Sequence, residues 1–385
     1  MQEGPAATTP TPVRTESHGA RKAAFLSFVR QPGALRSILV VRNGLLGDVV
    51  SITPVLMRLH STYPAAAIDV LVSEKALPLL EGFPGVRRIF ALSAKFSLVE
   101  HAVLFLHFRR FRYDVILVEE ANSHYTIMSR LAGAKYLCGM DNSWRFLLDA
   151  AIPRTPRLHT VKAQIETVLE WTQTNSDDRT FLAVNEEEKK AAAQFLATVG
   201  ISRDDYLVCI HLGCSSPNSE RRWVPARYGE LADLLAAKHK AKIIFTGVQG
   251  DKTEIEMIRS GMKYGSVSLA GKTSLRSLMS ILNRANLVLG PDTGTLHIAC
   301  AMQSPVLMLM GFADPLDTGP FDPRGISRYV RVALPCIGCA TRDPKPAQWD
   351  TCKEMRPVLC METLRTDLVL KTIEELRAAA SNQPQ

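Results

Sequence analysis

The sequence predicts an α/β protein built from two Rossmann-like, doubly wound domains that face each other across a cleft. Three observations point to it. Short β-rich apolar runs alternate with amphipathic helical stretches over the first 150 or so residues, and the same alternation restarts near residue 206. Short apolar strands separated by such helices imply parallel sheets covered on both faces. A chain of 385 residues is also too long for one ordinary core and suits two domains of roughly 150 residues each.

Taken in order, residues 1–34 read as a mobile N-terminal tail. "MQEGPAATTPTPVRTESHGA" is polar and rich in Pro and Thr, without the apolar core of a secretory signal. Its continuation, "RKAAFLSFVR", is expected to be a solvated leader or a short basic amphipathic turn. The first domain, 35–180, opens with the strand "SILVVR" (37–42). "VLMRLHSTY" (55–63) has helical spacing, with Pro54 tolerable in a first turn and Pro64 as the stop. Then come the strand "AIDVLVS", the helix-like "KALPLLEGF", "VRRIFALS", the strand "YDVILVEE" (113–120) and the helix "SHYTIMSRLAGAK", ending near Gly133. "LHTVKAQIETVLEWTQ" (158–173) is strongly periodic, and "NSDDR" is a polar break. The second domain, 181–335, begins with the helix "EEEKKAAAQFLATVG", closed by a C-cap glycine. It continues through "YLVCIHLG", "YGELADLLAAKH", "AKIIFTG", "SLRSLMSILNRA", "NLVLG", "TLHIACAMQ" and "PVLMLMG". A cysteine-containing loop and the final helix "METLRTDLVLKTIEELRAAA" occupy 336–385. No fixed-period repeat is visible, so the halves share architecture rather than residues.

Composition limits the function classes. The apolar share of 46% and charged share of 22% are those of a soluble globular protein, and no apolar run approaches the ~18 residues a membrane span needs. The formal charge of +8 favours anionic partners. The basic residues are scattered, with "RRFR" (109–112) and "ERR" (220–222) as local clusters, and no basic block is interleaved with aromatics as a nucleic-acid groove would be. Of eight cysteines, Cys138, Cys209, Cys214 and Cys300 sit in or beside apolar segments and read as reduced core residues of a cytoplasmic protein. Cys336, Cys339, Cys352 and Cys360 crowd one stretch, with the spacing C-x2-C-x12-C-x7-C. Four thiolates suffice for zinc. The last gap is longer than common zinc ribbons have, and a reduced cluster or weak redox pair fits the spacing equally.

Two strand ends carry the chemistry. "VVRNGLLGDVV" (40–50) leaves a strand through Gly44 and Gly47 and sets a lone carboxylate, Asp48, at a helix start. Asp48 is either a turn and cap residue or an acid placed for reaction. "LVLGPDTGTLHIACAMQ" (287–303) ends a strand at Gly290 and turns through Asp292, Thr293 and Gly294 into a helix, with His297 one turn in. The free N–H groups of that first turn suit an anion; the plain alternative is a capped helix with a packed histidine. Arg221 and Arg222 follow another strand and either neutralise a pyrophosphate or face solvent. Asp251, in the Gly-rich turn of "IIFTGVQGDKTEIEM", stands where doubly wound nucleotide sites hold ribose hydroxyls.

Together these segments resemble glycosyltransferase family 9, the bacterial heptosyltransferases of lipopolysaccharide assembly. The resemblance rests on "ILVVRNGLLGDVVSITPVLMRLHSTYPAAAIDVLV", "IHLGCSSPNSERRWVPARYGELADLL", "IIFTGVQGDKTEI", "GPDTGTLHIACAMQSPVLMLMG" and "ADPLDTGPF", which span roughly 37–325. It implies a GT-B fold with the acceptor on the first half and the nucleotide sugar on the second. It makes Asp48 the general base of an inverting transfer and places the donor on Asp292, Thr293, Gly294 and His297. Asp251 falls near the family's ribose acid, and Arg221 replaces the usual lysine on the phosphates, a planar fork for a point charge. ADP-heptose is the implied donor and a phosphorylated lipopolysaccharide-core or related glycolipid the implied acceptor, with no cofactor required. The implied setting is the cytoplasm, with peripheral contact at the inner face of the membrane. Two rivals remain at this level: a nucleotide-sugar epimerase or hydrolase on the same plan, and a non-catalytic protein that binds anionic ligands.

Overall fold

A computed structural model describes residues 15–93, 97–120, 123–153, 155, 158–172, 178–213, 220–340, 345–347, 349–355 and 357–381. Residues 1–14 of the expected tail, and Cys214, lie outside them. Two six-stranded sheets, parallel throughout, form the two halves. The first contains β1 (Ser37–Arg42), β2 (Ala67–Ser73), β3 (Val86–Leu92), β4 (Val115–Val118), β5 (Tyr136–Met140) and β6 (Ala150–Ile152), in the order β3-β2-β1-β4-β5-β6. The second contains β7 (Leu207–His211), β8 (Lys242–Thr246), β9 (Ser266–Ser268), β10 (Leu287–Pro291), β11 (Val306–Leu309) and β12 (Arg328–Val330), in the order β12-β11-β10-β7-β8-β9. Counted within its own half, each sheet runs 3-2-1-4-5-6. In each, the strand order reverses between the first and fourth strands, β1/β4 and β7/β10, and a doubly wound sheet binds its ligand beyond that reversal.

The helices of the first half are α1 (Thr15–Val29), α2 (Leu46–Ser51), α3 (Thr53–Thr62), α4 (Leu77–Leu80), α5 (Leu98–Phe111), α6 (Ser123–Leu131) and α7 (Thr160–Leu169). Those of the second are α8 (Glu186–Thr198), α9 (Pro225–His239), α10 (Lys252–Ser260), α11 (Leu275–Arg284), α12 (Gly294–Ala301), α13 (Pro315–Thr318), α14 (Trp349–Glu354), α15 (Leu359–Thr363) and α16 (Thr366–Ser381). Helices on both faces explain why the inner strands are apolar without alternation. Ile38 to Val41 of β1 and Leu207 to Ile210 of β7 are wholly enclosed. Among the described residues, no helix is long and apolar enough to cross a membrane.

Three sequence expectations change. The mobile tail does not extend to residue 34, because residues 15–29 form α1, whose Phe25 and Val29 are buried. Phe25 stands edge-on to Trp171, with ring centroids 5.4 Å apart, and Lys22 pairs with Glu170 at 2.7 Å. The basic residues of "RKAAFLSFVR" therefore face outward over an aromatic seat. The closing helix is two helices, broken at Leu364 and Arg365. The Leu364 carbonyl accepts from the Trp223 indole at 2.7 Å, which ties the C-terminal segment to the second half. Helix α5 and the strands β5, β6, β9 and β12 were not foreseen; β6, β9 and β12 are three residues long each, below the length at which periodicity can speak.

The halves touch at several places among the described residues. Helix α2 packs on α12, the Phe181 N–H donates to Thr53 Oγ1 at 3.1 Å, and Arg276 of α11 donates to the Pro78 carbonyl at 3.2 Å.

Candidate active site

The loop after β1 is shaped around Asp48. One carboxylate oxygen, Oδ2, accepts from the Leu45 N–H at 2.8 Å and so closes the first turn of α2. The other, Oδ1, accepts from Arg42 Nη2 at 2.9 Å. A Cβ on Gly44 would lie 2.7 Å from Asp48 Oδ2, so only glycine lets the carboxylate fold back there. Asp48 is therefore a helix-start residue and also an acid held in a fixed direction. Its side chain keeps 39% of its surface open, and it lines the cleft. Capping and reactivity are compatible because each carboxylate oxygen retains a second lone pair.

Behind Asp48 lies an acidic floor that the sequence reading passed over. Glu119 and Glu120 end the "YDVILVEE" strand and are both buried. Burial pushes the Glu119 carboxyl up to about 8, against the hydrogen bond from Thr167 and the charge of Arg42. Glu120 is also raised, first by burial, with Asp48 adding and Arg42 and the Asn43 backbone opposing. Arg42 donates to the Glu119 carbonyl as well as to Asp48. The signal was available: Arg42 closes β1 and the two glutamates follow β4, the strand ends that flank the reversal point.

The facing wall comes from the second half. Asp292 directly follows β10, with its side chain 6% exposed. Its Oδ1 meets His297 Nε2 at 3.0 Å, and its Oδ2 accepts from Thr318 Oγ1 at 2.9 Å. Arg221 Nε approaches Oδ2 at 3.7 Å. Burial alone would raise this carboxyl, but the hydrogen bond and charge of His297, then Arg221 and Thr318, hold it below its ordinary value. Thr293 is the N-cap of α12, yet its hydroxyl makes no cap bond. That hydroxyl is buried without a partner among the described residues. His159, a residue outside the expected set, bridges the halves: its Nδ1 accepts from the Val161 N–H, so its Nε2 donates to the Gly319 carbonyl at 3.0 Å. Burial lowers its pKa, which favours the neutral ring.

The two walls meet closely. A Cβ on Gly294 would lie 2.9 Å from Leu46 Cβ, and one on Gly47 would lie 3.2 Å from His297 Cδ2. Glycine at 294 lets the helix starts of α2 and α12 approach this closely, and at 47 a side chain would press on His297. The cleft between them, with about 200 Å³ of free volume, is lined by Gly47, Asp48, Arg221, Asp292, Thr293, Gly294 and His297, with Ser51, Thr160 and Thr318.

Arg222 and Asp251 are not brought there. Arg222 pairs with Glu254 and stands 3.6 Å from Asp251, while Asp251 accepts from the Val248 N–H at 2.8 Å. The pair is spent on the start of α10, and neither residue lines the cleft. The two adjacent arginines thus part, Arg221 approaching Asp292 and Arg222 pairing with Glu254.

Residues 103–344 match the profile described as glycosyltransferase family 9 (heptosyltransferase), well over half of the chain. The chain belongs to glycosyltransferase family 9. It is 25% identical over 298 residues to the lipopolysaccharide core heptosyltransferase OpsX of Haemophilus influenzae, covering 75% of this chain and 83% of that one. Its fold matches that of a family 9 glycosyltransferase from Veillonella parvula, with a TM-score of 0.73 at 20% identity, over 89% of this chain and 97% of the other. It also matches the E. coli ADP-heptose lps heptosyltransferase II, with a TM-score of 0.71 at 20% identity, over 90% and 99% of the two chains. As a family 9 member the protein is a heptosyltransferase-like glycosyltransferase, and the two facing sheets are its GT-B halves.

The four C-terminal cysteines stand away from this cleft but together. Cys336, Cys339, Cys352 and Cys360 line one small cavity beside the end of β11. Burial, then the neighbouring thiols Cys352, Cys339 and Cys336, push Cys360 up to about 12.

Proposed function

We propose that the protein transfers a sugar, with inversion, from a nucleoside-diphosphate donor held on the second half to a hydroxyl presented by the first. ADP-heptose is the donor this reading favours, and a phosphorylated lipopolysaccharide-core glycolipid the acceptor. The observation that carries it is the meeting of Asp48 with the Asp292–His297 pair across one cleft.

Asp48 takes the acceptor proton as the acceptor oxygen bonds to the anomeric carbon from the face opposite the diphosphate. An ordinary aspartate is a weak base, near pKa ~3.9. It suffices because the hydroxyl becomes acidic only as its bond to the sugar forms. Arg42 aims the carboxylate, and the capping bond to Leu45 stops it from swinging away. On the other wall, charge growing on the leaving diphosphate meets the Arg221 guanidinium, the Thr293 hydroxyl and the first N–H groups of α12. All are oriented before reaction, which is where electrostatic stabilisation is largest. Asp292 orients His297 rather than touching the donor phosphates, since a buried carboxylate beside a phosphate would repel it. Contact between the halves excludes water, the competing acceptor. The net charge of +8 suits a phosphorylated acceptor and an anionic membrane surface at the cytoplasmic face.

The test is a panel of nucleotide sugars, assayed for nucleoside diphosphate release with and without glycolipid acceptor. Release that requires acceptor, greatest with ADP-heptose, supports the reading. Acceptor-independent turnover would favour an epimerase or hydrolase.

A further inference from the structure

Cys336, Cys339, Cys352 and Cys360 do not line the transfer cleft. Spacings of two, twelve and seven residues bring Cys336, Cys339, Cys352 and Cys360 to a single cavity of about 20 Å³, room for one atom-sized occupant. The first two thiols belong to a tight turn in which Gly338 has φ +72°. The turn is pinned to the end of β11: the Gly338 N–H donates to the Gly311 carbonyl at 2.9 Å and the Ala340 N–H to the Phe312 carbonyl at 3.0 Å. Cys352 comes from α14 and Cys360 from α15. A Cβ on Gly311 would lie 2.5 Å from Cys360 Sγ, so glycine at that position is what admits the sulfur. Apart from Glu220, the other lining residues, among them Phe312, Trp349 and Val358, are apolar or glycine.

Four thiols in a dry pocket make poor hydrophobic filling. Larger apolar side chains would close the cavity, whereas S–H groups are weak donors with few acceptors there. Soft sulfur donors around an atom-sized space, two of them from a C-x2-C turn, are what a tetrahedral thiolate centre requires. Among the described residues no such group already stands arranged to hold an ion, so binding requires the thiols to rotate inward from the cavity wall.

We propose that these four cysteines bind one soft divalent cation, zinc or ferrous iron, and that the ion clamps the turn at 336–340 and helices α14 and α15 onto the end of β11. Binding replaces four S–H bonds with four metal–sulfur bonds and releases four protons. The centre so formed carries a net charge of −2. Lys345 is placed to offset it, with Nζ 2.7 Å from the Ala340 carbonyl and 3.2 Å from that of Cys339. Because Glu220 lines the same cavity and Arg221 the transfer cleft, the ion anchors the segment that carries the donor-side arginine.

The experiment uses full-length protein purified under reducing, anaerobic conditions without a metal-chelating tag. Elemental analysis is expected to find about one equivalent of zinc or iron per chain, and to say which. After chelation, cobalt(II) should bind with a one-to-one endpoint and the visible bands of a tetrahedral thiolate complex. Cys339→Ser, at a half-buried position, should lower retained metal by more than about tenfold. Re-addition of zinc or ferrous iron to the chelated wild type should restore its melting temperature, a readout independent of any variant's folding. Wild-type protein that is free of metal and takes up no cobalt would overturn the proposal. So would unchanged metal content in Cys339→Ser, or disulfides among the four cysteines.

Discussion

The two halves share one strand order and differ in where each keeps the carboxylate that lines the cleft. In the first half it is Asp48, on the connection after the first strand, with its side chain open to the cleft. In the second it is Asp292, directly after the fourth strand, enclosed and tied to His297, Thr318 and Arg221. The first half has acids at the matching place too, Glu119 and Glu120, but they are sunk beneath the floor. An acid that must accept a proton from a reactant has to be reachable and fixed. An acid that positions a neighbour does its work better buried, where its partners compete with little water. Equivalent topology thus supplies equivalent places, and in the proposed mechanism the depth of the carboxylate decides which task each place performs.

That contrast can be broken most severely at Asp48. Asp48→Asn keeps the shape and removes the proposed base, and is expected to lower kcat by about 10²–10⁴-fold, with the donor KM little changed in steady-state assays. Asp292→Asn should act in the opposite column. Losing the charge that orients His297 is expected to raise the donor KM by about 10–100-fold, with a smaller fall in kcat. Gly294→Ala probes the meeting of the halves themselves. Its methyl would press on Leu46, and a loss of about tenfold in kcat/KM is expected from imperfect closure, while circular dichroism melts stay near wild type. Smallest is the buried acid of the first half. The Glu119 carboxyl is raised to about 8 in the folded protein. Between roughly pH 4.5 and 8 the unfolded chain therefore releases a proton that the folded one keeps, and stability falls as pH rises through that window. Glu119→Gln should flatten this slope, gaining on wild type by about 1–3 kcal/mol toward pH 8 and nothing near pH 4. Denaturant midpoints across pH would show it.

Much of this was legible from residues alone, for identifiable reasons. Inner strands such as "SILVVR" and "NLVLG" are continuous apolar runs because both faces are covered, and the turns that follow them carry glycines that nothing else could replace. Asp48, Asp292, Thr293 and His297 could be expected to share one cleft, as they do, because strand-end loops are short and their chemistry is local. Arg222 and Asp251 went the other way. Sequence shows that two arginines are adjacent but not that one reaches the cleft while the other pairs with Glu254. His159 was illegible for a related reason: it lies 160 residues from Gly319, the carbonyl it bridges to. The helix at 15–29 was hidden because its apolar residues are few, and their aromatic seat on Trp171 and Tyr136 is supplied from far along the chain.

The division of labour between the halves is tested most directly by titrating ADP into Asp48→Asn and Asp292→Asn side by side, with calorimetry reading the dissociation constant. The account predicts wild-type affinity for the first and a loss of about 10–100-fold for the second. Equal weakening in both, or weakening in Asp48→Asn alone, would contradict it.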